Sequence, residues 1–453
     1  MNLESLFNEI LKPALGCTEP VAVALAVAAA VQASAGWTPD SSALPLPALP
    51  GSDIHGIRMR VSRNIFKNAF AILIPNADGR KGIVMSAALG AFCDPRQGMN
   101  LFHSLDGTCT AAADCLVQSG RVAVSIADDA PSDVYIDVEV ELKSGRGCCT
   151  IRDEHANLAC LKRNGTTIYG HEQTEVEPGG YSSEVLALKS MSVPEIVLLV
   201  EQLPAGVLSL LTETMEKNIA ACKAGLSRPT GIGAGYFGIS GDTPVSLTQY
   251  LSAITAAGSD ARMAGSAVEV MTSAGSGNQG IVATMPVVAY ARMHFVDEQR
   301  LLKALALSHL MTMHLTAHIG YLSALCGVAV KAGVGAACGI TYAMGGGAEH
   351  AQRAIKIMAA TLSGMICDGA KIGCALQVSS AADMAIRAAS LAMRDAELPD
   401  DNGIVASTAE ETIRNLAELS RSMESVDEKL IEIMLAKIPT VDRKPALTSE
   451  KLV

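Results

Sequence analysis

The stretch "SGMICDGAKIGCALQV" sets Cys367 and Cys374 seven residues apart, with Gly369 and Gly373 between them. Cys326 and Cys338 stand shortly upstream. Thiolates ligate soft metals and iron–sulfur clusters, so this spacing raises the question of a metal centre. In one continuous helix the two side chains would share a face roughly 10 Å apart, too far for a single ion. The glycines are poor helix residues and predict a loop that draws the thiols together. The C-x-x-C knuckles of zinc ribbons are absent from the chain, and the spacings miss both ferredoxin patterns. Cys326, Cys367 and Cys374, on separate segments, would suit an iron–sulfur cluster with one iron left without a protein ligand, which is a Lewis acid. The plainer alternative is a set of buried free thiols. Spacing alone leaves both readings open.

Other residues could serve such a centre. Cys17 immediately precedes the apolar helix signal "TEPVAVALAVAAAV", where a helix dipole favours a thiolate and lowers its pKa. The turn "SAGSGNQG" places Ser273, Ser276, Gly277, Asn278 and Gln279 at a helix start. Backbone N–H groups exposed there form an anion site, although interhelix turns often share this composition. Asn64 and Asn68 in "SRNIFKN" and His155 in "HANL" are weaker candidates, because asparagines often cap their own backbone. Lys371 in "CDGAK" invites a pyridoxal-phosphate Schiff base. A phosphate cup and an acid for the ring nitrogen cannot be assembled around it, so it reads as a lysine of the cluster loop or one that pairs a carboxylate.

These residues must be positioned by a chain of 453 residues, long enough for two domains. Hydrophobic content of 49% with only 4% aromatics predicts closely packed helices rich in small side chains. A formal charge of −11 argues against nucleic acid and anionic membrane partners. The run "PVAVALAVAAAVQASAGW" imitates a secretion signal, but Val21 to Val31 is too short to span a bilayer. Glu4, Glu9 and Glu19 give its flank the wrong charge. It reads as a buried helix with Pro20 in its first turn. A cytosolic location is therefore expected, with thiols rather than disulfides. Cys93, Cys109, Cys115, Cys160 and Cys222 read as small buried hydrophobes, and Cys148 and Cys149 as opposite faces of a strand.

Residues 1–35 read as helix, loop, helix, followed by a proline-rich connector at 41–53. "VYIDVEVEL" (134–142) alternates as a half-solvated antiparallel strand, and "RGCCTIRDE" and "ANLACLKRNG" read as its neighbours. "AFAILIP" (69–75) reads as another strand, with helices at "KGIVMSAALGAFCD" and "TCTAAADCLVQSG". From Ser183 onward strand signals vanish; helices are expected near 193–223, 243–273, 280–292, 297–312, 314–345, 349–365, 375–396 and 406–436, then a loose tail from 440. The expected fold class is α+β. A mainly α-helical catalytic domain (1–40 and 183–453) would carry an α/β domain (41–182), an antiparallel sheet plus helices, inserted after the N-terminal helices. The active site should lie at their junction.

The segment "SGMICDGAKIGCALQV", together with "SAGSGNQGIVATMPV" and "LGCTEPVAVALA", closely resembles the L-cysteine desulfidase family of UPF0597-type proteins, relatives of the iron–sulfur L-serine dehydratases. "SRNIFKNAFAILIP" and "HANLACLKRNG" extend the resemblance through the α/β portion. It implies a 4Fe–4S cluster on Cys326, Cys367 and Cys374, with Cys338 left as a helix-packing residue. It makes Cys17 functional, either as the base that takes the α-proton or as a group beside the cluster. It assigns the "SAGSGNQG" turn to the substrate, with Asn64, Asn68 and Lys371 as further binding candidates. The implied reaction is α,β-elimination of L-cysteine to pyruvate, ammonia and sulfide through an aminoacrylate. The alternatives are the same elimination on L-serine and a thiol-rich metal-binding or redox-sensing protein without turnover. Related serine dehydratases can end in a cysteine that reaches the cluster; this chain ends "SEKLV", which weakens the expectation of serine specificity. Homo-oligomerisation is expected on general grounds.

Overall fold

The computed structural model describes residues 1–41, 53–170, 181–241, 245–437 and 447–448. The proline-rich connector and the tail lie almost entirely outside the described residues. In chain order the strands are β1 (Pro13–Leu15), β2 (Ile54–Val61), β3 (Val122–Ile126), β4 (Tyr135–Leu142), β5 (Gly145–Arg152), β6 (Leu158–Arg163), β7 (Thr166–Gly170), β8 (Glu269–Met271) and β9 (Leu447–Thr448). The alternation in β4 is realised as expected: Ile136, Val138, Val140 and Leu142 are buried while the acidic residues between them are half-buried. Its sheet has the order β7-β6-β5-β4-β2-β3-β9. Two departures from the sequence expectation are clear. The sheet is mixed, because β2 pairs with β3 in parallel across the helical crossover between them. "AFAILIP" is not a strand: the Ser62 hydroxyl caps a helix at 63–69, and the chain then makes only a single bridge, Leu73 with Lys81.

The helices are α1 (Leu3–Ile10), α2 (Thr18–Ser34), α3 (Arg63–Ala69), α4 (Ile83–Gly90), α5 (Gly107–Gln118), α6 (Ser183–Ser190), α7 (Val193–Leu199), α8 (Ala205–Ser227), α9 (Ala234–Ile239), α10 (Leu247–Met263), α11 (Gly277–Met293), α12 (Glu298–Ile319), α13 (Gly333–Ala343), α14 (Ala348–Leu362), α15 (Cys374–Ala392), α16 (Ala409–Ser422) and α17 (Glu424–Ala436). Several long helical expectations divide in two. Pro204 stands at the N-cap of α8 and lacks the N–H that would continue α7. Gly320, at φ +110°, stops α12, and an irregular stretch and a π-helical turn at Val328–Ala332 precede α13. Strand β8, which the sequence reading missed, pairs with β1 and ties the N-terminal segment to the "SAGSGNQG" turn that follows it. No helix among the described residues is long and apolar enough to cross a membrane.

Two apolar cores result. One joins α1 to the C-terminal helices; the other packs α2, α4 and α5 on the sheet. The N-terminal helices therefore part company. Helix α1 packs with the helical core, but α2, assigned to that portion from sequence, is sheathed by the sheet and its helices. The cause is its composition: every residue of α2 is buried, and its alanines let backbone meet backbone. A Cβ at Gly147 of β5 would stand 1.8 Å from the Ala30 carbonyl oxygen.

Deep in the helical core, His309 of α12 is fully buried between the Ser273 hydroxyl, 2.9 Å from Nδ1, and the Thr284 hydroxyl, 3.3 Å from Nε2. Burial lowers its pKa to about 3. Unfolding releases a ring that titrates near 6.5, so the unfolded chain binds more protons below that pH. Stability from this group is fully present above about pH 6.5 and lost as pH falls toward 3. Thermal melts should show about 2 kcal/mol lost by pH 5, and a loss blunted in His309→Gln.

Candidate active site

One pocket collects most of the chemistry the sequence singled out. Cys17, Asn68, His155, Ala274, Gly275, Ser276, Asn278, Gln279, Cys326, Cys367 and Cys374 all line it. It encloses about 90 Å³, larger than one water's share of liquid volume, roughly 30 Å³. Its walls come from the starts of α2, α11 and α15, from the end of α10, from α3 and the β5–β6 turn, and from the segments on either side of the α13–α14 pair.

The thiols are placed by backbone pairing. The Cys326 N–H donates to the Met365 carbonyl at 2.8 Å, and the Cys367 N–H donates to the Ala324 carbonyl at 2.7 Å. This bridge holds the two segments side by side across the intervening helices. Residues 364–373 form the loop that the glycines predicted, and α15 begins at Cys374. Gly369 is at φ +91°, and a Cβ there would meet the Lys67 carbonyl oxygen at 2.5 Å, so the loop lies directly on α3. Burial raises the pKa of Cys326 well above that of a free thiol, with Cys367 and Cys374 adding repulsion. Burial likewise raises Cys374, opposed by Lys371. Cys338 is fully buried in α13 and outside the pocket, in keeping with its packing role.

The "SAGSGNQG" turn enters the pocket beside them. Ala274 and Gly275 both take positive φ, which throws Ser276 into position as the N-cap of α11; its hydroxyl accepts from the Gln279 N–H. The first N–H groups of a helix have no intrahelical partner; here the Gln279 N–H is taken by Ser276, and Asn278 of that first turn lines the pocket. Gly280 must be glycine, because a Cβ would lie 1.9 Å from the Met271 carbonyl oxygen on β8. Of the turn's residues, Ser273 and Gly277 stand behind the wall. Ser273 bonds His309, and Gly277 packs on Arg262, whose Nε would be 2.4 Å from a Cβ there.

Residues missed from sequence complete the wall: Thr18, Glu19, Arg262, Tyr321, Lys331 and Gln377. Arg262 donates to the Asn278 side-chain oxygen Oδ1 at 3.1 Å. A detectable signal existed for one of them, because Lys331 is a single charge within an apolar run. Three pocket-lining side chains carry buried atoms without a hydrogen-bond partner: His155 Nε2, Arg262 Nε and Gln279 Oε1. Buried polar atoms are rarely left unpaired in native proteins, so three around one cavity mark a place for a polar ligand.

A family model described as the serine dehydratase alpha chain matches residues 188–432. A UPF0597 protein of Alkaliphilus metalliredigens is 37% identical over 442 residues, covering 96% of this chain and 94% of its own. Those of Oleidesulfovibrio alaskensis (37%, 96% and 98%) and Clostridioides difficile (36%, 95% and 98%) match as fully. The chain belongs to the UPF0597 family of serine dehydratase-like proteins. The match begins inside α6 and takes in the turn, the π-helical segment and the loop carrying Cys367 and Cys374, whereas Cys17, Asn68 and His155 come from outside it.

Three expectations for this UPF0597 protein need correction. Cys17 is the N-cap of α2, yet its pKa is raised well above the ordinary thiol value. Desolvation outweighs the dipole, and the thiol donates to the Glu19 carboxylate at 3.3 Å. Asn64 faces away, donating to Asp133 at 3.3 Å, because α3 turns only Asn68 toward the thiols. Lys371 does not line the pocket; it pairs with Asp368 within the loop, the carboxylate-pairing role considered for it. Among the presumed packing cysteines, Cys115 is exposed and Cys109 half-buried.

Proposed function

We propose that this protein is an iron–sulfur-dependent lyase that eliminates the β-substituent of a small L-amino acid, with L-cysteine the preferred substrate. The observation that carries the reading is the opening of Cys326, Cys367 and Cys374 onto one pocket with unpaired polar atoms. Among the described residues no three His, Cys, Asp or Glu side chains converge tightly enough for a single metal ion. Cys326, Cys367 and Cys374 would hold the cluster, and the donor set is soft, as such a group requires. The chemistry it supplies when bound is Lewis acidity toward the leaving group.

The chain's own residues account for the rest. The N-terminus of α11 and the Arg262 guanidinium receive the substrate carboxylate. Gln279 Oε1 and the Glu19 carboxylate accept from the ammonium group. His155 is buried, which lowers its pKa and keeps the imidazole neutral. Its Nε2 is the nitrogen free to accept the α-proton. Cys17, still a thiol bonded to Glu19, packs beside Cys374 and takes the second of its two proposed roles, a group next to the cluster. Burial of the pocket excludes bulk water until the aminoacrylate leaves to hydrolyse.

Elimination from L-serine is the second reading, favoured by the match to the serine dehydratase alpha chain. Anaerobic reconstitution followed by pyruvate and sulfide assays separates them. Turnover of L-cysteine above L-serine is expected, in line with sulfide as a soft leaving group. Faster turnover of serine would move the protein to the dehydratases. A colourless protein that makes no pyruvate would leave a thiol-rich binding protein.

A further inference from the structure

Lys331 lies in the apolar run "LCGVAVKAGVGAACG" and is 1% exposed. A buried ammonium is unfavourable unless a carboxylate compensates it. Lys67, also fully buried, follows that rule, with Nζ 2.6 Å from Asp427. Lys331 does not. Its Nζ donates to the carbonyls of Gly320 at 2.6 Å and Tyr321 at 3.2 Å, just past the end of α12. Among the described residues no carboxylate forms an ion pair with it. The two carbonyls take two of its three hydrogens and carry no net charge.

The side chain also lines the pocket with the three thiols. Burial lowers its pKa to about 8, opposed by Cys367, then Asp133 and Cys326, so it remains largely protonated at neutral pH. Of the other cations, Lys371 lies outside the pocket lining and pairs with Asp368, while Arg262 donates to the neutral Asn278 side chain. The turn that presents Lys331 is π-helical, Val328–Ala332, and starts two residues after Cys326. Such widened turns occur frequently at functional sites.

We propose that Lys331 is the buried counter-charge of the thiolate centre, offsetting the negative charge that Cys326, Cys367 and Cys374 acquire when they ligate metal. The inference rests on the iron–sulfur reading above. On ligation each thiol gives its proton to solvent and its electron pair to iron, while Lys331 keeps its proton. The lysine is absent from the covalent chemistry and acts by holding the metal-bound state together. It is a positioning charge rather than a catalytic residue.

The test is anaerobic reconstitution with ferrous iron and sulfide, counting iron and acid-labile sulfide per chain and then timing iron loss to a chelator. Lys331→Arg keeps the charge. Lys331→Gln keeps an N–H for the α12 carbonyls but removes the charge, and Lys331→Met removes both. Iron should leave the glutamine and methionine variants roughly tenfold faster than the wild type, with the arginine variant close to wild type. A glutamine variant that retains iron like the wild type overturns the proposal and leaves the lysine as a cap for α12. Failure of both neutral variants to fold without metal, while the arginine variant folds, also overturns it, since the charge would then serve the fold. If the wild type itself takes up no iron, the parent reading fails, which is a separate and visible result.

Discussion

Cys367→Ala should yield a folded protein that takes up far less iron on anaerobic reconstitution and makes no pyruvate from L-cysteine. Cys367 is the informative member of the set because it is only half-buried, whereas Cys326 and Cys374 are buried. Its placement comes from the backbone: its N–H donates to Ala324, and Ile366 bridges Leu325. Alanine preserves both contacts and loses only the long 3.8 Å contact from the thiol to the Asn68 side-chain oxygen. Stability should therefore change by less than about 1 kcal/mol. Loss of iron and turnover with an unchanged melt would then be chemical in origin. Cys338→Ala is the control: its thiol sits in α13 and meets only the Ala351 carbonyl, at 3.8 Å. It should keep full iron and activity while losing about 1 kcal/mol of stability. Retention of a cluster by Cys367→Ala would remove this cysteine from the ligand set.

What could be read from sequence followed from how local the cause was. The strand β4, the buried helix α2 and the loop between Cys367 and Cys374 are each dictated by their own residues, through alternation, apolar run and glycine content. The convergence of Cys326 with Cys367 is not local. It depends on a two-bond bridge between segments about forty residues apart that no periodicity announces. Asn64 and Asn68 show the same limit. Both lie in one short motif, but the helix formed by that motif turns them in different directions. Cys17 was placed correctly at a helix start, yet its protonation was misjudged because the dipole argument supposes an exposed helix end. Here the end is buried, and Glu19 accepts the thiol's hydrogen bond.

The geometry also explains why a pocket assembled from helices needs the sheet. The β5–β6 turn delivers His155, and α3, which leaves β2 at the capped Ser62, delivers Asn68 and supports Gly369. Strand β1 pairs with β8 immediately before the "SAGSGNQG" turn, so the approach to Cys17 and the approach to α11 are fixed against each other. The α11 turn, the thiols and His155, the proposed proton acceptor, therefore reach one cavity from both cores.

The second large effect concerns that proton acceptor. His155→Gln should lower kcat for elimination by about 10²–10⁴-fold with little change in KM, the signature of a group that moves a proton in the transition state. The side chain is buried at the pocket wall, Nε2 lacks a partner, and Gly275 of the substrate turn passes close to its ring. Desolvation lowers its pKa, opposed by the negative charges of Glu19 and Glu154. With the folded value below about 6.5, the neutral ring that accepts a proton persists into mildly acidic solution. The wild-type kcat/KM profile should then hold level through neutral pH and fall on the acid side only below about 6.5. In His155→Gln that acid limb should vanish along with most of the rate, while iron content stays at the wild-type level, because His155 belongs to none of the thiol contacts. A histidine that merely supported the β5–β6 turn would behave differently: Gln would lower the melting temperature and leave the acid limb in place. That outcome would return the proton-accepting role to Cys17, whose proton is held by the contact with Glu19, and Glu19→Gln would then become the variant that moves the pH profile.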